Sequence, residues 1–336
     1  MPRTRNQGSI LDRFERHADR TFAEAATRYL AEFQGKDKSR AAQSIDAVAP
    51  YIGHLRLIDV DDEAMAQFKE DRTAGKGAFT RPAMAGTTNK DLVQVITILT
   101  KAARVWRWLP PLVVKIEHVR GPVRQPYVFS WAEQDRLFAA LPTGWDCGAA
   151  LFCVNTGVRR MELFGLKWID RRWVPELDTK DAAGNVKERM YVFVLSGVST
   201  KNGESRAVIC NSIARRAVEY QQRFQEKHQK SEYVFPSQVG KIRTKVRNAG
   251  KPWDEAWKKA GLPVDKYVKR GIHSCRHVYA TRLRDAGVPA EDRDALLGHA
   301  RTNLSQHYGT ASLERLLAHA EKVTHRKEMT VLRAIG

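Results

Sequence analysis

Long apolar runs are absent from this chain. No stretch approaches the roughly 18 consecutive apolar residues that a membrane span requires, and the opening MPRTRNQGSI lacks the apolar segment of a secretory signal. A cytoplasmic protein with no membrane partner is expected. Cysteine is scarce. The four present, Cys147, Cys153, Cys210 and Cys275, form no CxxC pair, which argues against a disulfide framework or a cysteine-based zinc centre. Neither GxxxxGK[ST] nor GxSxG occurs, so neither a P-loop nucleotide site nor a serine nucleophile elbow is indicated. No cofactor and no metal are expected. Acidic charge is also short: 38 Asp and Glu face 57 Lys and Arg, a formal net charge of +19. Such an excess points to a polyanion, because cations set against phosphates release condensed counterions.

What is present is enough for two domains: 336 residues, 43% of them hydrophobic. Residues 1–128 carry 21 basic against 15 acidic groups and residues 129–336 carry 36 against 23, so both halves can meet the polyanion. Residues 1–20, with Arg3, Arg5, Arg13, Arg16 and Arg20, read as a short basic arm. Thr21 with Glu24 is a capping box, and Phe22, Ala26, Tyr29, Leu30 and Phe33 then share one helical face. Further helices are expected near 40–53, 62–72 and 87–108, the last with a stripe of Leu92, Ile96, Leu99, Ala103 and Trp106. That makes a helical domain over 21–109. Pro110, Pro111, Gly121, Pro122 and Pro126 mark a linker over 110–129.

A second domain is expected over 130–326. It opens with the capping box Ser130 and Glu133 and continues with a helix near 158–167. Segments near 168–174, 189–196 and 205–210 are rich in β-branched and aromatic residues and read as a small antiparallel sheet. Helices follow near 212–228, 253–260, 273–287, 290–298 and 312–326, and residues 327–336 form a tail. The fold class is mainly α with a small antiparallel β-sheet, α+β.

Three stretches could carry chemistry on a phosphate. In NTGVRRMELFGLKW, Arg159 follows Gly157 at a helix start and Glu162 stands three residues on, placed to orient a guanidinium. In HSCRH, His273 and Arg276 share a helical face. In STKNGESR, the Asn202-Gly203 turn signal puts Lys201 at a hairpin tip. Each has a blander reading as an ordinary surface cation. Two apparent metal sites are set aside: Asp59, Asp61, Asp62 and Glu63 suit a helix N-terminus, and His273, Cys275 and His277 lack a spaced second ligand pair.

TGVRRMEL, the hairpin Lys201, HSCR, LLGH with His299, and Tyr308 nine residues later stand in one order along the chain. Together they resemble the tyrosine recombinase, or phage integrase, family over 130–326, and more weakly the family's helical, SAM-like core-binding domain over 21–109. The resemblance implies a site-specific DNA integrase acting on double-stranded DNA as a homo-tetramer on two paired sites, with DNA-bending or directionality proteins as possible accessories. Tyr308 would be the nucleophile, giving a 3′-phosphotyrosyl link and a free 5′-hydroxyl. Arg159, Arg276 and His299 would bind the scissile phosphate, Lys201 would protonate the leaving 5′-oxygen, and His273 would act as acid or base toward the tyrosine. Glu162 would brace the site. Val158 stands where the family more often has leucine, and the short arm implies no separate arm-binding domain. The C-terminal tail, with Met329, Val331, Leu332 and Ile335, would pack on a neighbouring protomer. A type IB topoisomerase and a catalytically silent DNA-bending protein remain alternatives.

Overall fold

The computed structural model describes residues 19–110, 116–142, 145–197, 205–228, 230–236, 250–265, 267–299 and 312–326. The chain divides into two compact units, Met1–Val123 and Arg124–Gly336.

In the first unit, α1 (Phe22–Ala31) begins at the Thr21–Glu24 capping box, with Thr21 N donating to Glu24 Oε2 at 2.8 Å and Glu24 N to Thr21 Oγ1 at 3.3 Å. α2 (Lys38–Ile52) is capped by Asp37, and α3 (Ala66–Ala74) ends on Gly75 in the left-handed region. α4 (Ala85–Lys101) continues into a π turn over Ala102–Trp106. The expected helix over 87–108 is therefore α-helical only to Lys101, and positive φ at Arg107 ends it. Phe22, Val48, Ile52, Phe68, Leu92, Val95 and Leu99 form the core. Buried Asp91 accepts from Ser44 Oγ at 2.7 Å and from Arg40 and Arg72 at 3.2 Å each, tying α2 and α3 to α4. The acidic run is occupied locally. Asp61 Oδ1 accepts Ala64 N at 2.9 Å, Asp59 pairs with Arg56, and Asp62 accepts Glu117 N at 2.7 Å and pairs with Lys69.

The second unit opens with a two-residue strand β1 (Gln125–Pro126) and then α5 (Trp131–Ala140), capped by the Ser130–Glu133 box. α6 (Trp145–Thr156) was not anticipated. Its Ala149, Ala150, Phe152, Cys153 and Val154 are fully buried, so it shows no polar face and no helical stripe. The helix expected over 158–167 is only α7 (Arg160–Leu163), because Leu166 and Trp168 leave it to bond the backbone of Val234 and Glu232.

The main sheet is antiparallel in the order β2 (Arg171–Trp173), β5 (Tyr191–Leu195), β6 (Arg206–Ile209), with Trp173 opposite Tyr191 and Phe193 opposite Val208. A small hairpin, β3 (Thr179–Lys180) and β4 (Val186–Glu188), is inserted before β5. β7 (Val268–Lys269) pairs parallel with β1. The remaining helices are α8 (Ser212–Lys227), α9 (Gly250–Lys259), α10 (His273–Asp285), α11 (Ala290–Leu297) and α12 (Leu313–Lys322). α6 packs between α8 and α10, which sets the Gly157 turn at its C-terminus beside the start of α10. The architecture is mainly helical with small sheets, as the sequence suggested. Among the described residues no helix is long and apolar enough to cross a membrane.

Candidate active site

Two glycine turns build the site. Gly157, with φ +62°, turns the chain from α6 into α7, and a Cβ there would lie 2.5 Å from Tyr279 Cδ1 and 2.9 Å from Leu297 Cδ2. Only glycine fits both the backbone angle and the space. Its carbonyl faces α10 and accepts Arg276 Nη1 at 2.6 Å. Gly298, with φ +64°, terminates α11, and its carbonyl accepts Arg159 Nη2 at 2.6 Å. Each candidate phosphate-binding arginine is thus aimed by a carbonyl from a different turn.

Glu162 supplies the counter-charge. It is buried, and its Oε1 accepts Arg159 Nη1 at 2.9 Å while Oε2 accepts Arg159 N at 3.0 Å and Arg206 Nη2 at 2.6 Å. Burial pushes the Glu162 carboxyl up, but Arg206 and Arg159 outweigh it and hold it below the usual carboxylate range. Two guanidiniums, Arg159 and Arg206, therefore share one carboxylate. Arg276 is pulled down to about 10, first by burial and then by repulsion from Arg159 and Arg206; at neutral pH it keeps its charge. The local excess of positive charge is what an anion would neutralise.

The histidines lie at the edge of this cluster. His273, the first residue of α10, is exposed, and partial burial together with Arg276, Arg159 and Lys269 lowers its pKa. The shift favours the neutral ring, the form that can take a proton. His277, one turn on, meets the His273 ring edge-on with centroids 5.0 Å apart. Burial, then His273, Lys269 and Arg276, bring it to about 4. His299 keeps about half its side chain exposed, and its Nδ1 lies 2.9 Å from Asp294 Oδ1, which orients the ring.

The structure brings together Arg159, Glu162, His273 and Arg276, and links His299 to them through the Gly298 carbonyl. Lys201 and Tyr308 lie outside the described residues, as do His307 and the C-terminal tail. Arg206 was missed, although a lone arginine heading the apolar strand RAVI is a signal. Asp294, which holds His299, was missed too and carries no sequence signal. Cys275 points away from His273 into the core.

A buried carboxylate holding Arg159 and Arg206, with Arg276 beside them, on a helical unit with a small antiparallel sheet, forms the candidate site. The chain belongs to the phage integrase, or tyrosine recombinase, family, whose pattern its residues 131–315 match. A tyrosine recombinase XerC-like protein of Caldanaerobacter subterraneus subsp. tengcongensis is 29% identical over 175 residues, 46% of this chain and 42% of that relative. The match thus spans less than half the relative's length. Among solved structures, the fold is similar to lambda integrase in a tetramer bound to a Holliday junction, with a TM-score of 0.62, 17% identity and coverage of 90% of this chain and 84% of that one. It is also similar to the Tn1549 transposon integrase in complex with transposon right end DNA, with a TM-score of 0.61, 13% identity and coverage of 91% and 100%. At these identities the likeness is one of fold.

Proposed function

We propose that the chain is a site-specific DNA recombinase that cuts and rejoins duplex DNA through a 3′-phosphotyrosyl intermediate, integrating or excising a mobile element. The observation that carries this reading is the pairing of Arg159 and Arg276, each anchored by a backbone carbonyl, with His273 on the helix of Arg276 and an Asp294-held His299. In the reaction, Tyr308 Oη attacks the scissile phosphorus as its proton passes to His273. The 5′-oxygen leaves with a proton from Lys201. One P–O ester bond replaces another, so no ATP is consumed. Arg159, Arg276 and His299 offset the charge that grows on the non-bridging oxygens. Arg159 and Arg276 are preorganised by Glu162 and the two glycine carbonyls and His299 by Asp294, so that fixed donors can do the work of a metal. A homo-tetramer on two paired sites, a helical core-binding domain over 21–109, a catalytic domain over 130–326 and docking of the tail on a neighbouring protomer complete the proposal.

A nicked suicide duplex carrying a candidate attachment site tests it on a denaturing gel. Wild-type protein is expected to give a slow covalent adduct and Tyr308→Phe none. An adduct that survives Tyr308→Phe refutes the nucleophile assignment, and plasmid relaxation without joining of two sites would favour a type IB topoisomerase.

A further inference from the structure

Arg206 lies at the start of β6, and its side chain runs beneath the turn that ends α11. Nη2 donates to Glu162 Oε2 at 2.6 Å and Nη1 to the Leu296 carbonyl at 3.3 Å. The side chain is 10% exposed, so it does not present its charge to solvent. A Cβ at Gly298 would collide with its Cδ and come within 2.6 Å of Nε and Nη1. Thus the LLGH turn has a glycine where Arg206 passes beneath it. Nε is buried with no hydrogen-bond partner among the described residues, a cost that an apolar side chain of similar length would avoid.

We propose that Arg206 is a positioning residue for the phosphate clamp, holding the Glu162 carboxylate and the Leu296–Gly298 turn in register so that Arg159 and His299 present their donors to one phosphate. The inference rests on the strand-cleaving reading above. Two consequences of the geometry support it. Glu162 Oε2 is shared between Arg206 and the Arg159 backbone, so half of the carboxylate's charge is drawn away from the Arg159 guanidinium. With Arg206 removed, Glu162 would pair with Arg159 alone and weaken the field that guanidinium offers a phosphate. Arg206 also joins the end of α11 to α7, through the Leu296 carbonyl and Glu162, while Arg159 joins them separately through the Gly298 carbonyl. Loss of the Arg206 link leaves the turn that carries His299 held to α7 by Arg159 alone of the two.

Single-turnover cleavage of the nicked suicide duplex at saturating protein, DNA affinity by mobility shift and thermal melting are measured together for Arg206→Met, Arg206→Lys and Glu162→Gln/Arg206→Met. Arg206→Met is expected to slow cleavage roughly 100-fold with affinity changed by less than about threefold, because a misplaced donor costs rate before it costs binding. Arg206→Lys keeps the charge but bonds only one of the two acceptors, and is expected to slow cleavage about tenfold while melting like wild type. The double variant is expected to be no slower than Arg206→Met, since both act through one carboxylate. The proposal is overturned by Arg206→Met cleaving within about twofold of wild type, by a loss that follows affinity, or by full rescue with lysine. Absence of an adduct from wild type overturns the strand-cleaving reading and this inference with it.

Discussion

Replacing Gly157 with alanine tests the construction of the site without relying on any assumption about its reaction. The residue sits at φ +62°, where a Cβ costs about 1–2 kcal/mol in backbone strain. The added methyl would also lie 2.5 Å from Tyr279 Cδ1 and 2.9 Å from Leu297 Cδ2, and overpacking of a tight core costs about 1–3 kcal/mol. Tyr279 cannot retreat easily, because it is fully buried between α6 and α11. The sum is on the order of 3 kcal/mol, which lowers the Tm of a unit this size by about 6–12 °C. Gly287, with φ +70° and open space around its missing Cβ, is the control: Gly287→Ala incurs only the backbone cost of about 1–2 kcal/mol. Scanning calorimetry of the whole chain, with hydrogen exchange of α6 and α10 to locate the effect, gives the comparison. Gly157→Ala melting as Gly287→Ala does would refute the close approach of Tyr279 and Leu297 to this turn.

α12 is held on its own unit by Asp292, a buried carboxylate that accepts Arg315 Nη2 at 2.9 Å and has His319 Nε2 3.2 Å from its other oxygen. Asp292→Asn keeps the shape but removes the charge, and about 1–2 kcal/mol of docking should be lost; exchange of the α12 amides should accelerate about tenfold or more while α6 stays protected. The His277 ring, neutral down to about pH 4 in the fold against an ordinary value of 6.5, makes the unfolded chain the better proton binder. Stability should therefore fall as pH drops from about 6.5 and level off below about 4. His277→Gln should flatten that part of the Tm-against-pH curve, and an unchanged slope would place the ring in a more solvated setting.

How far the sequence carries depends on how local each feature is. The capping boxes at Thr21 and Ser130 were readable because three residues contain the whole hydrogen-bond pattern. The pairing of Arg159 with Glu162 was readable for the same reason, being set by the i,i+3 geometry of a helix start. α6 was not, because most of its described side chains are buried and no polar face marks its period. The short α7 was overestimated, since the backbone of Val234 and Glu232 recruits the residues that follow it.

By itself, then, the sequence determined the helical character, the small sheet, the family and the local pairing of Arg159 with Glu162. The tertiary structure alone decided how those side chains are aimed. Arg159 reaches a carbonyl 139 residues away and Arg276 one 119 residues away, and Arg206 joins the site only because β6 passes beneath the Gly298 turn. Such contacts depend on how distant elements pack, and local periodicity or motif spacing contains no record of that packing.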